Sequence, residues 1–214
     1  MGETLLLAVG IAASPFPVVP AILLLFTVQP RAASLAFLGS WFGGIAAATG
    51  AFVLLADIVG SSTDPPAWLS WVRLVLGAGL VIYGVTQWMG RKAADEPPSW
   101  MQSIQDATPA KAVRLALLLT LANPKVVLLA AAGGLDIGAT GLTAAGELGV
   151  TVAFAVVASV SVAVPVLMFA LLGARVLPPL EKAKDWLTLN NAAVMAIVIT
   201  VIGTVLLKNG LTVL

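Results

Sequence analysis

The 214-residue chain contains no cysteine and no histidine. Without cysteine it can form no disulfide and run no thiol redox chemistry. Without histidine it lacks the commonest metal ligand and the usual proton shuttle near neutral pH. Charge is scarce too: 11 Lys and Arg face 10 Asp and Glu, together 10% of the residues, for a net charge of +1. The charges are scattered over short connecting stretches, so there is no basic patch of the kind that binds nucleic acid. No close carboxylate pair stands ready for acid–base or metal chemistry. No G-x-x-x-x-G-K-[ST] loop occurs to cradle a nucleotide. The expectation is a protein that is not an enzyme, holds neither cofactor nor metal, and has no nucleic-acid partner.

What the chain does have is apolar surface. Hydrophobic residues make up 60% of it, and the mean hydropathy is +1.05, well outside the range of soluble domains. A membrane-spanning helix needs about 20 apolar residues, and six stretches meet that length: 5–26, 32–56, 67–89, 113–135, 148–172 and 187–207. The expected fold is an all-α membrane protein of six transmembrane helices, with no room for a soluble domain. The longest connector, 91–110, contains Pro97-Pro98, Trp100 and Met101. It divides the chain into a first three-helix unit, 1–90, and a second, 111–214. The connector reads equally as a segment along the membrane surface or as a solvated linker. The opening Met1-Gly2-Glu3-Thr4 lacks the basic region of a secretory signal, and Leu6 departs from the myristoylation pattern. The first helix is therefore expected to remain.

Basic residues are unevenly placed. Arg31, the group Arg91, Lys92, Lys111 and Arg114, and the group Arg175, Lys182 and Lys184 put eight of eleven in or beside the odd-numbered loops. The second and fourth loops carry Asp57, Asp64, Asp136 and Glu147 and no base. Short cytoplasmic loops are enriched in Lys and Arg, so both termini are expected outside a bacterial plasma membrane. Trp68, Trp71, Trp88 and Trp186 fall where indole rings favour the headgroup level.

Two proline breaks interrupt the first and fourth spans. The first reads Ala13-Ser14-Pro15-Phe16-Pro17-Val18-Val19-Pro20 and the second Ala122-Asn123-Pro124-Lys125-Val126-Val127, with Pro15 and Pro124 lying 109 residues apart. Interrupted helices at matching positions in two halves point to a transporter site. Three spans per half would make the halves an inverted repeat, with broken helices one and four. Proline removes its own N–H and clashes with the carbonyl four residues earlier, and it pushes the residue before it out of helical geometry. Ser14, Phe16 and Val19 should therefore leave the helix, with four or five residues of helix one unwound, and the carbonyls of Ile11, Ala13, Phe16 and Thr120 should be freed. In hydrocarbon such backbone survives only against protein or water, so the breaks are expected to face a shared cavity.

Ser14, Pro15, Pro17, Thr120, Asn123, Pro124 and Lys125 form the candidate substrate site. Lys125 lies about twelve residues from either end of its span. A central lysine costs roughly 2.5–3.5 kcal/mol on insertion scales and generally faces a functional interior. It reads either as a substrate anion's partner or as a lysine tied to freed carbonyls, and an intramembrane proline reads also as a plain kink. Near the outer surface Arg73, Asp57, Asp136 and Glu147 read as a gate or proton site, or as salt bridges at the rim. On helix two, Ala36, Gly39, Ser40, Gly43, Ala46, Ala47 and Gly50 share one side, which predicts close helix packing. Gly77, Gly84 and Pro165 suit the same compact bundle.

The intramembrane Asn123-Pro124-Lys125, the proline-broken first helix and six spans in about 210 residues together resemble the lysine exporter (LysE) superfamily. Within it the chain is most similar to the GAP family, the sulfolipid- or peptidoglycolipid-addressing proteins of actinobacteria. The resemblance implies a duplicated three-helix unit and an export activity, in the GAP branch the outward movement of envelope glycolipids. The leading expectation is a plasma-membrane exporter or flippase for an amphiphilic, anionic envelope lipid, with membrane lipids as partners. Proton coupling and a homo-oligomer are compatible with it. The alternatives are a LysE-type exporter of a small polar metabolite such as an amino acid, whose site should hold more hydrogen-bonding groups, and a non-transporting adaptor of an envelope export complex.

Overall fold

A computed structural model of the chain describes residues 2–59, 104 and 107–190, with individual positions within 74–89 and 193–208. Arg73, Asp64, Trp68, Trp71, the greater part of the third span and almost all of the 91–110 connector up to Ala107 lie outside the described residues. Every described element is helical: α1 (Gly2–Ala12), α2 (Pro15–Leu23), α3 (Pro30–Val59), α4 (Pro109–Leu121), α5 (Pro124–Gly138), α6 (Ala144–Leu172) and α7 (Leu177–Leu189). Short 3-10 turns cover Leu24–Phe26 and Gly173–Val176.

Pro30–Ile58 and Ala144–Leu189 are each long and apolar enough to cross a membrane. Two bent helix pairs pass the same test together, each as a broken span or a re-entrant loop: α1 and α2 meet at 45°, α4 and α5 at 64°. The apolar surface is what a lipid-facing protein needs. On α6, Val156, Val160, Val164, Leu167 and Leu171 form an exposed stripe at helical spacing.

The first break is shorter than the sequence suggests. Only Ala13 and Ser14 leave the helix, and Pro15 opens α2, where a missing N–H costs nothing. Pro17 falls in the same first turn, leaving Pro20 as the interior proline. Phe16 and Val19 stay helical although each precedes a proline. Ser14 takes the extended conformation that a pre-proline residue favours, φ −77° and ψ 124°. The Ile11 carbonyl, expected to be freed by Pro15, accepts the Ser14 N–H at 3.1 Å.

The fifth loop is also not a loop. Gly173, at φ 66° and ψ −148°, turns the chain at the end of α6 in a region open essentially to glycine alone. Pro178 and Pro179 then start α7. This helix is amphipathic. Val176, Leu177, Leu180 and Leu187 pack with Val18 and Ile22 of α2, with Leu25 of the 3-10 turn after it and with Phe169, while Glu181, Lys182 and Asp185 are exposed.

Among the described helices, neighbours in sequence touch little, and helices from the two halves of the chain touch most. α3 packs along α4, α5 and α6, while α1 packs on α5 and α6. Gly44 meets Thr120, Gly134 meets Thr49, Phe52 and Val53, and Gly138 meets Val53 and Ala56. Residue numbers rise together across these contacts, so α3 runs parallel to the broken α4–α5 span. Gly84 lies against Ala196 and Thr200, joining the third stretch to the sixth. The core that results gathers Leu7 and Ile11 of α1, Trp41 and Ile45 of α3, Val126 of α5 and Phe154 of α6.

The close-packing residues are not those on the helix-two stripe. Gly39, Gly43 and Ala47 are exposed, and a Cβ at Gly39, Gly43 or Gly50 would meet nothing within 4 Å. The buried side of α3 carries Phe37, Trp41, Ile45 and Val53 instead. Across the interface Gly134 and Gly138 of α5 make room for α3 at Thr49, Phe52, Val53 and Ala56, while Gly133 makes room for Phe154 of α6. Between membrane helices, close approach needs small residues on one side of the contact, and here α5 supplies many of them.

Candidate functional site

The second break is built by three consecutive residues. Asn123 is extended, φ −87° and ψ 109°, and Pro124 occupies the first position of α5. The Asn123 Oδ1 accepts the Lys125 N–H at 3.1 Å, capping the new helix. Asn123 is thus tied to the backbone. Just before the break, the Thr120 hydroxyl donates to the carbonyls of Ala116 and Leu117, both at 3.0 Å, and is fully buried beside Gly44. Thr120 is spoken for in the same way.

Lys125 differs from both. It is 8% exposed, yet its Nζ has no hydrogen-bond partner among the described residues. It stands in the first turn of α5, where the helix dipole adds positive potential to its own charge. Burying an ammonium without an acceptor is costly, and an anion brought to it would relieve that cost. Ser14 at the first break is 2% exposed and has an interaction of its own. Ile11 and Val126 share one apolar cluster, so the end of α1 and the start of α5 lie in one neighbourhood. Pro15 and Pro17 are buried in the wall of that region, and Pro124 is exposed.

A cavity of about 440 Å3 separates the start of α2 from α4. Phe16, next to the first break, forms part of its wall, and Ile104 and Ala107 close another part. Along α4 its lining runs from Lys111 and Arg114 to Leu118 and Leu119, one turn short of the second break. The expected link between breaks and cavity is therefore partial. Phe16 and α4 reach the cavity, whereas Ser14, Thr120, Asn123 and Lys125 do not line it.

The outer acids do not gather into one cluster with Lys125. Asp57 is exposed at the end of α3, Glu147 sits in the first turn of α6, and Asp136 is half-buried on α5 with an interaction of its own. Sequence reading missed four other buried polar atoms without a partner: Trp41 Nε1, Thr49 Oγ1, Ser159 Oγ and Ser161 Oγ. Residue type and spacing gave no warning of them, because serine, threonine and tryptophan on a mostly apolar helix show their burial only once the helices are packed.

Two long apolar helices, two bent apolar helix pairs and a buried lysine at the second bend characterise an all-helical chain of membrane-protein type. The chain belongs to the family described as Sap, sulfolipid-1-addressing protein, whose family model matches residues 4–212. No curated protein and no solved structure matches it.

Proposed function

We propose that the protein exports or flips an amphiphilic, anionic lipid or glycolipid of the cell envelope across the bacterial plasma membrane. The observation that carries this reading is the buried, unpartnered Lys125 ammonium at the start of α5. An anionic headgroup gives that charge the partner the described fold withholds, while acyl chains stay against apolar helix surfaces. The sulfolipid-addressing family supports a lipid cargo, and the layout agrees with the LysE and GAP resemblance.

The architecture proposed with it is six spans in two inverted three-helix units, with both termini outside. The contact pattern supports this. A two-fold axis in the membrane plane exchanges the first span with the fourth and the second with the fifth, and so exchanges the first–fifth contact with the second–fourth contact. Both contacts are present, and both pair parallel helices. Ser14, Pro15, Pro17, Thr120, Asn123 and Pro124 shape the station, and Lys125 binds. Asp57, Asp136 and Glu147 belong to the outer mouth. Transport runs on a proton gradient or on the cargo's own gradient, without catalysis of a chemical step.

A second reading rests on the orphaned Trp41, Thr49, Ser159 and Ser161 atoms. They add hydrogen-bonding capacity inside the bundle, as an exporter of a small polar metabolite requires. Mass spectrometry of lipids co-purified in mild detergent, wild type against Lys125→Ala, separates the two. Loss of one anionic lipid class in the variant, with loss of its transfer between leaflets in reconstituted vesicles, is the expected result. Identical lipid profiles and unchanged transfer would remove Lys125 from the mechanism.

A further inference from the structure

The cavity along α4 is chemically two-ended. Lys111 and Arg114, both exposed, stand at the N-terminal end of the helix, and Leu115, Leu118 and Leu119 continue the wall for about one further turn, with Phe16 lining the same cavity. The rise from Lys111 to Leu119 is about 12 Å, most of a half-bilayer of about 15 Å.

The two cations are badly placed for the helix itself. The first turn of α4 holds no acid, and its cap is the neutral Thr108, whose hydroxyl accepts the Lys111 N–H at 3.3 Å. Positive side chains at a helix N-terminus oppose the dipole. Among the described residues the one salt bridge is Lys184 with Asp185, so no described carboxylate offsets Lys111 or Arg114. Dipole and side chains thus sum to one positive pole, at the foot of an apolar trough. A soluble anion would use the pole and leave the trough empty. A neutral lipid would use the trough and leave the pole unanswered. An anionic lipid answers both, and arginine holds an oxyanion headgroup in bidentate fashion.

We propose that this groove is a lipid-loading site, separate from the station at Lys125. An anionic lipid enters with its headgroup on Lys111 and Arg114 and one acyl chain along Leu115, Leu118 and Leu119, its end near Phe16. Its place as the first station on the way to Lys125 rests on the export reading above, whereas its occupant is argued from the groove alone.

The test uses the full chain in phosphatidylcholine nanodiscs containing phosphatidylglycerol with a diazirine on one acyl chain, with cross-links mapped by peptide mass spectrometry. Labelling should concentrate on 115–119, and the same probe on phosphatidylcholine should label that stretch far less. A basic residue near an anionic lipid is worth about a fivefold change in binding, so Lys111→Gln with Arg114→Gln should raise the phosphatidylglycerol needed for half-labelling about thirtyfold. The charge-preserving pair Lys111→Arg with Arg114→Lys should label like wild type, which separates charge from folding. Lys125→Ala should keep groove labelling while losing transfer between leaflets. If it keeps both, the groove stands and the reading of Lys125 falls. Equal labelling by the two lipids, no response to the double neutral variant, loss of labelling in Lys125→Ala, or displacement by inorganic phosphate would each overturn the loading site.

Discussion

Replacing Gly134 by alanine places a methyl group inside the contact between α5 and α3. That carbon would lie 2.7 Å from Phe52 Cβ and 3.2 Å from Val53 N, and would run into the Thr49 carbonyl oxygen. Carbon atoms pack best at about 3.5–4.0 Å, so the helices must separate by roughly 1 Å locally. The neighbours are backbone and a Cβ, which cannot swing aside as a side-chain tip could. Overpacking of this kind costs about 1–3 kcal/mol. Alanine also gains about 1 kcal/mol over glycine in helix propensity. Gly39→Ala is the matched control, because it takes the same gain and meets nothing within 4 Å. The difference between the two variants isolates the strain, about 1–3 kcal/mol with Gly134→Ala the less stable. Unfolding by dodecyl sulfate in mixed micelles, followed by circular dichroism, reads that difference. A gap below about 0.5 kcal/mol, the size of an ordinary surface effect, would refute the assigned interface. A reversed order would make the exposed stripe on α3 the packed face.

Three further outcomes are expected. Asn123→Ala removes the cap of α5 and should lower stability by about 1 kcal/mol, with Asn123→Ser recovering most of it in the same unfolding assay. Gly173→Ala forces a Cβ into a glycine-only conformation at the turn before α7 and should cost about 1–3 kcal/mol, while Gly149→Ala, on open helix surface, should not. With no native cysteine to interfere, Ala144→Cys should react with an impermeant maleimide in intact cells and Ala110→Cys only after lysis; the opposite pattern would invert the proposed topology.

The two broken spans were legible because proline acts locally. Its missing N–H and its clash with the preceding turn disrupt a helix wherever it falls inside one, and both Ser14 and Asn123 take the extended conformation expected of a residue before proline. The extent of the first break was not legible. Pro17 and Pro20 count as disruptions only if the helix runs through them, and restarting the helix at Pro15 places Pro17 in a harmless first turn. The segment at 173–186 was read as a loop from its charges and its place between two apolar stretches. Pro178 and Pro179 suit the first turn of a helix, and packing of Leu177, Leu180 and Leu187 with Val18, Ile22 and Leu25 accompanies its helical form.

The packed face of α3 shows the same division. Small residues at helical spacing mark a surface that allows close approach, but they do not say that a neighbour takes the offer. Gly39 and Gly43 stay open, and the tight contacts instead include Gly134 and Gly138 of α5. The candidate site was half legible. Lys125 was visible as a cation about twelve residues from either end of its apolar stretch, because the cost of charge in hydrocarbon rises with depth. That Asn123 and Thr120 are already bonded to backbone, leaving Lys125 without a partner, depended on geometry at the scale of one hydrogen bond.

By itself the sequence determined the solvent of this protein and the places where its helices break, since both follow from hydropathy and proline chemistry acting over one helix length. Only the tertiary structure decided which faces touch, which polar atoms remain unpartnered, and that Lys111 and Arg114 end an apolar groove beginning near the first break. Those properties belong to pairs of helices from opposite halves of the chain, and no stretch of either helix specifies its partner alone.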